Sequence, residues 1–237
     1  MFRPIYEPRT RAREYSDLAI NIYTGCNHGC TYCYARQMFN RYHPAENFAD
    51  VKPREGIVEA VGNQLSGGKY KGKKIMLCFM CDPYPAEIDT TPTREIIKAI
   101  KDAGANVSVL TKGGMRAIRD FDLYGEGDSF GATITGEFWN ERSEPKASSW
   151  MERLKTIEFA KERGIKTWVS CEPVLDADNI YSLLSGDWPI DFFKIGKLNY
   201  YPSDINWGEF GRECERLCKE YGRSYYIKED LRKEMGE

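Results

Sequence analysis

From Leu18 onward, short apolar runs alternate with longer stretches in which apolar side chains recur every third or fourth position. Runs this dense suit strands buried on both faces, and the longer spacing suits amphipathic helices. Strands are expected at Leu18–Gly25, Ile75–Cys81, Asn106–Lys112, Phe130–Thr135, Lys166–Cys171 and Asp191–Leu198. Between the first two, Glu55–Leu65 has helical spacing (Ile57, Val58, Val61, Leu65) and stops at Gly67-Gly68. Thr91-Pro92 opens a second helix, with proline where its missing N–H costs nothing, and Gly104 ends it. Met115–Leu123 and Asp178–Leu184 read as short helices. Ser149-x-x-Glu152 is a capping box for a helix running to Arg163, and Asn206-x-x-Glu209 caps a last one reaching Tyr221. Residues 1–17 and Met38–Arg54 show no period and read as irregular.

Strands alternating with helices imply right-handed βαβ units and one parallel sheet. No linker, repeat or low-complexity segment interrupts the chain. Residues 1–237 therefore read as one domain, with 1–17 a lead-in and 206–237 a C-terminal helix and tail. Six units are too few to close an eight-stranded barrel.

Composition narrows the class. A chain of 237 residues can bury one sizeable core, and 41% hydrophobic with 30% charged content is that of a soluble globular protein. There is no run of about 18 apolar residues, so no membrane span is expected, and Met1-Phe2-Arg3-Pro4 does not begin a secretory signal. Eight cysteines in such a chain point to a reduced, cytoplasmic setting rather than to disulfides. A net charge of −2 gives no global attraction to nucleic acid or anionic membrane. The densest basic run, Lys69 to Lys74, precedes a strand and so belongs at the N-terminal end of the sheet.

The stretch Gly25-Cys26-Asn27-His28-Gly29-Cys30-Thr31-Tyr32-Cys33-Tyr34-Ala35-Arg36 directly follows the first strand. Three thiolates at C-x3-C-x2-C can converge on one soft metal centre. Two readings stand at this point. With His28 as a fourth donor the set would make a Cys3His zinc site, the basis of a zinc-stabilised nucleic-acid-binding module. With three thiolates only, one position stays open for a substrate or cofactor.

The string resembles the radical S-adenosylmethionine (SAM) superfamily, and its G-C-x-H-G-C-x-Y-C-Y-A-R form is similar to the spore photoproduct lyase-like branch. The resemblance implies an α/β fold, an open parallel (β/α)6 partial TIM barrel, over roughly residues 18–200. It implies that Cys26, Cys30 and Cys33 hold a [4Fe–4S] cluster whose fourth iron binds SAM. Reductive cleavage of SAM would give a 5′-deoxyadenosyl radical that takes hydrogen from an unidentified substrate. The partners implied are that substrate and a reductant such as flavodoxin or ferredoxin. Spore photoproduct lyase-type DNA repair is the second reading within the class, and nucleic acid is not the favoured partner.

Every predicted strand turns polar at its C-terminal end, where parallel α/β folds bind ligands. The candidates there are Cys81 and Asp82, Thr111 and Lys112, Thr133 and Thr135, and Glu172. Asp82 suits the amino group or ribose of SAM, Lys112 its carboxylate, and Thr133 and Thr135 its ribose. By resemblance, Tyr32 is an adenine-side residue, Thr111-Lys112 matches a Thr/Ser-Lys pair of the SAM site, and Cys81-Asp82-Pro83-Tyr84 is similar to T-D-P-Y. Cys81 is the candidate catalytic residue, because photoproduct lyases return a hydrogen atom from a cysteine on the corresponding strand. Strand alternation would send Cys78 and Cys81 to opposite faces. Cys214 and Cys218 fall on the core stripe of the last helix.

Overall fold

The computed structural model describes residues 3–136 and 142–237. The first half of the chain holds β1 (Ala19–Ile20), β2 (Tyr23–Thr24), α1 (Tyr34–Tyr42), β3 (Lys52–Pro53), α2 (Ile57–Leu65), β4 (Lys74–Leu77), α3 (Thr91–Asp102) and β5 (Asn106–Thr111). The second half holds β6 (Ser129–Thr133), α4 (Trp150–Glu162), β7 (Lys166–Cys171), α5 (Ala177–Ser185), β8 (Phe192–Ile195), α6 (Trp207–Glu220), β9 (Tyr225–Ile227) and α7 (Glu229–Met235). Thr10–Glu14 and Gly114–Leu123 are 3-10 segments, the latter where a short α-helix was expected.

Seven strands form one parallel sheet in the order β1-β4-β5-β6-β7-β8-β9, and the sheet does not close. The expected partial barrel is present, with seven strands rather than six. The additional strand, β9, lies in the segment read as a tail. Its three residues, between Gly222 and Lys228, are too few to show a period. A second departure is α1, in a stretch read largely as irregular. Only Ala35 and Phe39 are buried on it, so its apolar stripe is one residue wide per turn. Its N-cap is Cys33, outside the usual Ser, Thr, Asp and Asn set.

The core lies between sheet and helices. Ile96, Ile97 and Ile100 of α3, Leu154, Ile157 and Ala160 of α4, and Phe210, Cys214, Leu217 and Cys218 of α6 are buried against the strands. Each large aliphatic side chain removed from water there contributes about 1.5–3 kcal/mol. The capping box at Ser149 and Glu152 forms as expected and fixes where α4 begins. No helix of the described residues is long and apolar enough to cross a membrane.

The N-terminal residues have a definite course. Tyr6 pairs with Ala19 on the free edge of β1. Tyr15 then reaches Ser170 at 2.8 Å and Glu172 at 2.6 Å, and the Glu14 carboxylate accepts from Tyr226 and from the backbone N–H of Glu229. This arm spans the opening between β1 and the β7–β9 side.

Candidate active site

The cysteine loop joins β2 to α1 and is built on two glycines that only glycine can replace without movement. Gly25 has φ +83°, and a Cβ there would meet the Phe48 carbonyl oxygen at 2.5 Å; Gly29 has φ +76°, and its Cβ would meet Pro145 at 2.9 Å. The Cys26 N–H donates to that same Phe48 carbonyl at 2.8 Å. Asn27 locks the loop to the segment after β4, donating to the Ala86 carbonyl at 2.6 Å and accepting from its N–H at 3.1 Å. Cys33 caps α1 through its sulfur, which accepts from the Arg36 N–H at 3.4 Å.

Cys26, Cys30 and Cys33 are free and half-buried, and Cys33 adds to the rise in pKa of both Cys26 and Cys30. Burial is the main cause: it lifts Cys26 well above the usual thiol range and Cys30 to about 12, with Lys112 opposing the rise at Cys30. Thiols held this way ionise when a cation is supplied. All three border a cavity of about 460 Å³ at the C-terminal ends of the strands. Among the described residues, no group of three or more His, Cys, Asp and Glu side chains closes on a single ion. Three thiols arranged around a cavity suit a polynuclear cluster, in which each thiolate meets a different iron.

His28 lines the same cavity, but its ring nitrogens meet other groups. It is buried; its Nε2 contacts Nη2 of Arg116 at 2.9 Å and its Nδ1 faces Asp82 at 3.6 Å. Burial lowers its pKa to about 4 against the pull of Asp82. The ring is thus neutral, with Nε2 accepting from Arg116 and Nδ1 facing Asp82 beyond hydrogen-bond distance.

Asp82 is buried and central. It accepts from the Tyr84 N–H at 2.8 Å, the Thr111 hydroxyl at 2.5 Å and the Lys112 N–H at 2.8 Å. Burial would raise its pKa, but His28 and these three hydrogen bonds outweigh it and hold the carboxyl below the usual range. A carboxylate offers about four acceptor sites, so most are used within the protein, and Thr111 is likewise spent on Asp82 and the Gly113 N–H. Lys112 is freer: its ammonium lies 5.7 Å from the Tyr32 ring centre and 3.9 Å from Glu144.

Sequence reasoning missed the Glu144–Arg153 pair. Arg153, buried on α4, bonds Glu144 and donates to the Thr133 carbonyl at 2.9 Å, while Glu144 receives the Tyr32 hydroxyl. An arginine on the stripe beside Leu154 and Ile157 is the one signal that could have found it.

Of the expected residues, Tyr32, Cys81, Asp82, Thr111, Lys112, Thr133 and Glu172 line the same cavity as the three cysteines, and Thr135 does not. β6 ends at Thr133, so Thr135 lies beyond the strand, with its carbonyl receiving the Leu175 N–H. Glu172 belongs to a different set, bonded to Tyr15 and to Lys228 at 2.5 Å. The alternation argument for Cys78 and Cys81 also fails. β4 ends at Leu77, before either cysteine, and both line the same cavity, with the Cys81 sulfur accepting from the Tyr23 N–H at 3.4 Å.

Comparison with known proteins adds the following. The family model described as the Radical SAM superfamily matches residues 20–175. An uncharacterised protein of Methanocaldococcus jannaschii is 33% identical over 161 residues, covering 66% of this chain and 60% of that protein. An uncharacterised protein of Acidianus two-tailed virus is 28% identical over 184 residues, covering 71% of this chain and 60% of its own length. The chain thus matches about 60% of the length of these relatives. Among solved structures, spore photoproduct lyase complexed with dinucleoside spore photoproduct superposes with a TM-score of 0.70 at 12% identity, over 93% of this chain and 78% of that one. Streptococcus suis SuiB bound to S-adenosylmethionine gives 0.62 at 10% identity, over 89% and 50%. At these identities the two structures share the fold.

Proposed function

The chain belongs to the radical SAM superfamily, and from that membership we propose that it is an enzyme initiating radical chemistry on a substrate held in the barrel mouth. Enzymes of this superfamily use a [4Fe–4S] cluster and SAM. When bound, the cluster supplies the electron that cleaves SAM and so starts hydrogen abstraction. Cys26, Cys30 and Cys33 are the residues to hold it. The observation that carries this reading is the three-thiol set itself: it opens onto the cavity that Asp82 and Lys112 line, while His28 is committed to Arg116 and Asp82.

The chain's own residues then bind and orient. Lys112 offers a positive charge to the SAM carboxylate, and Tyr32, tethered through Glu144 and Arg153, gives the adenine a fixed aromatic neighbour. Asp82 acts at one remove, by fastening Thr111 and the Lys112 backbone. The arm carrying Tyr15, together with Glu172 and Lys228, walls the other side of the mouth and keeps bulk water from the reacting centre. Eight free thiols and a need for a reductant suit the cytoplasm.

Photoproduct repair is not adopted. Lys69 to Lys74 leads into the N-terminal end of β4, away from the mouth, as the sequence suggested. Arg9 and Arg11 do reach the mouth, but Arg11 is paired with Asp230. The test is anaerobic reconstitution with iron and sulfide, followed by assay of SAM cleavage to 5′-deoxyadenosine under reductant. A colourless protein that binds zinc instead would sink the proposal.

A further inference from the structure

Two segments outside the strands and helices meet at the mouth. Residues 25–33 carry the three thiols. Residues 82–86, between β4 and α3, begin with the carboxylate that fastens Thr111 and the Lys112 backbone. No sheet ladder joins the two, so side chains must set their register. Asn27 makes that link: its Nδ2 donates to the Ala86 carbonyl at 2.6 Å and its Oδ1 accepts from the Ala86 N–H at 3.1 Å. Among the described residues no other direct hydrogen bond joins these two segments. Building on the reading above, in which the triad holds the cluster and Lys112 meets SAM, we propose that Asn27 is a positioning residue that sets the cluster loop at the right distance from the SAM side of the mouth.

The clamped segment is stiff enough to pass that register on. Asp82-Pro83-Tyr84-Pro85-Ala86 has its φ fixed by proline at two of five positions. Asp82 accepts from the Tyr84 N–H at 2.8 Å, and the Thr93 hydroxyl donates to the Pro83 carbonyl at 2.7 Å. A hold on Ala86 is therefore a hold on Asp82, and through it on Thr111 and Lys112. His28 reaches the same segment only through Arg116, whose Nε donates to the Tyr84 carbonyl at 3.1 Å. The cysteine loop has anchors of its own elsewhere. The Cys26 N–H donates to Phe48, the Thr31 N–H to Ser143 at 2.9 Å, and the His28 carbonyl accepts from the Lys146 N–H at 3.0 Å. Each segment thus keeps its shape without Asn27, and what is lost is the spacing between them.

The test uses the full chain reconstituted anaerobically with iron and sulfide, with SAM as the probe. Calorimetry would give SAM affinity. The electron paramagnetic resonance spectrum of the reduced protein, frozen before turnover, would report whether SAM reaches the iron. Asn27→Ala should match the wild type in iron content and in its spectrum without SAM, and bind SAM about tenfold more weakly. At saturating SAM the wild-type spectrum should change completely, and the variant's in fewer than half of its clusters. Asn27→Asp, similar in shape but unable to donate to the Ala86 carbonyl, should behave the same way and carries the test if the alanine variant does not fold. A complete spectral change at saturation in the variants, or a loss of iron as deep as in Cys30→Ala, would overturn the positioning role and leave the enzyme reading intact. Absence of the iron–sulfur chromophore from the wild type would overturn the enzyme reading, and the positioning role with it.

Discussion

Nε2 of His28 lies 2.9 Å from a guanidinium nitrogen of Arg116, so this histidine accepts a hydrogen bond there and has no lone pair to give a metal. A guanidinium only donates, which leaves the ring proton on Nδ1, facing Asp82. His28→Ala should therefore retain most of its iron after reconstitution, whereas Cys30→Ala should lose the iron–sulfur absorption and SAM cleavage together. Equal loss of metal in the two variants would restore the four-ligand zinc site.

Lys112 and Asp82 separate direct contact from support. Lys112→Ala should keep the chromophore and weaken SAM binding by about 1.5–3 kcal/mol, the worth of a charge-assisted hydrogen bond. Asp82→Ala strips the acceptor from Thr111, Lys112 N–H and Tyr84 N–H, so it should also lower the unfolding midpoint. Calorimetric titration with SAM and thermal melts would check both. Unchanged SAM affinity in Lys112→Ala would remove that residue from the site.

The Lys228–Glu172 pair should show up in stability. Its side chains are 3% and 17% exposed, and removing one partner of a buried pair costs about 3–5 kcal/mol. Lys228→Met should fall in that range by urea denaturation, and Tyr15→Phe should cost about 1–3 kcal/mol through its lost bonds to Ser170 and Glu172. A Lys228→Met variant as stable as the wild type would mean that Tyr15 and Asn199 satisfy Glu172 without it.

Lys194 gives a signed pH dependence. Its ammonium sits 4.7 Å from the Tyr15 ring centre, and burial, helped by Lys228, lowers its pKa to about 8. The unfolded chain keeps that proton to about pH 10.4. Between those values the unfolded state binds more protons, so this lysine's contribution to stability rises with pH. The Tm of the wild type minus that of Lys194→Met should grow from about pH 7.5 to about pH 10. A difference that shrinks over that range would contradict the lowered pKa.

The sequence disclosed what its local patterns could carry. The capping box at Ser149, the Pro92 helix start and the apolar strands each rest on neighbours in the chain, and each appears in the fold. The cysteine triad was legible for the same reason, being a motif within eight residues. What stayed hidden depends on distant partners. Nothing near Glu172 in sequence announces Tyr15 or Lys228, and nothing near Tyr32 announces Arg153. β9 was missed because a three-residue edge strand is defined by the register it finds on β8.

The arm from Tyr6 to Tyr15 also sets a timetable. Glu14 meets Tyr226 and Glu229, and Tyr15 shares Glu172 with Lys228, so these contacts join residues far apart in sequence. A ribosome must have made residues as far as Glu229 before that wall of the mouth can assemble, whereas the strands from β1 to β7 emerge earlier. The nascent chain thus completes its cysteine loop first and the wall of its cavity last. A polypeptide stalled or trimmed short of Lys228 would carry its three loop cysteines behind an unfinished door.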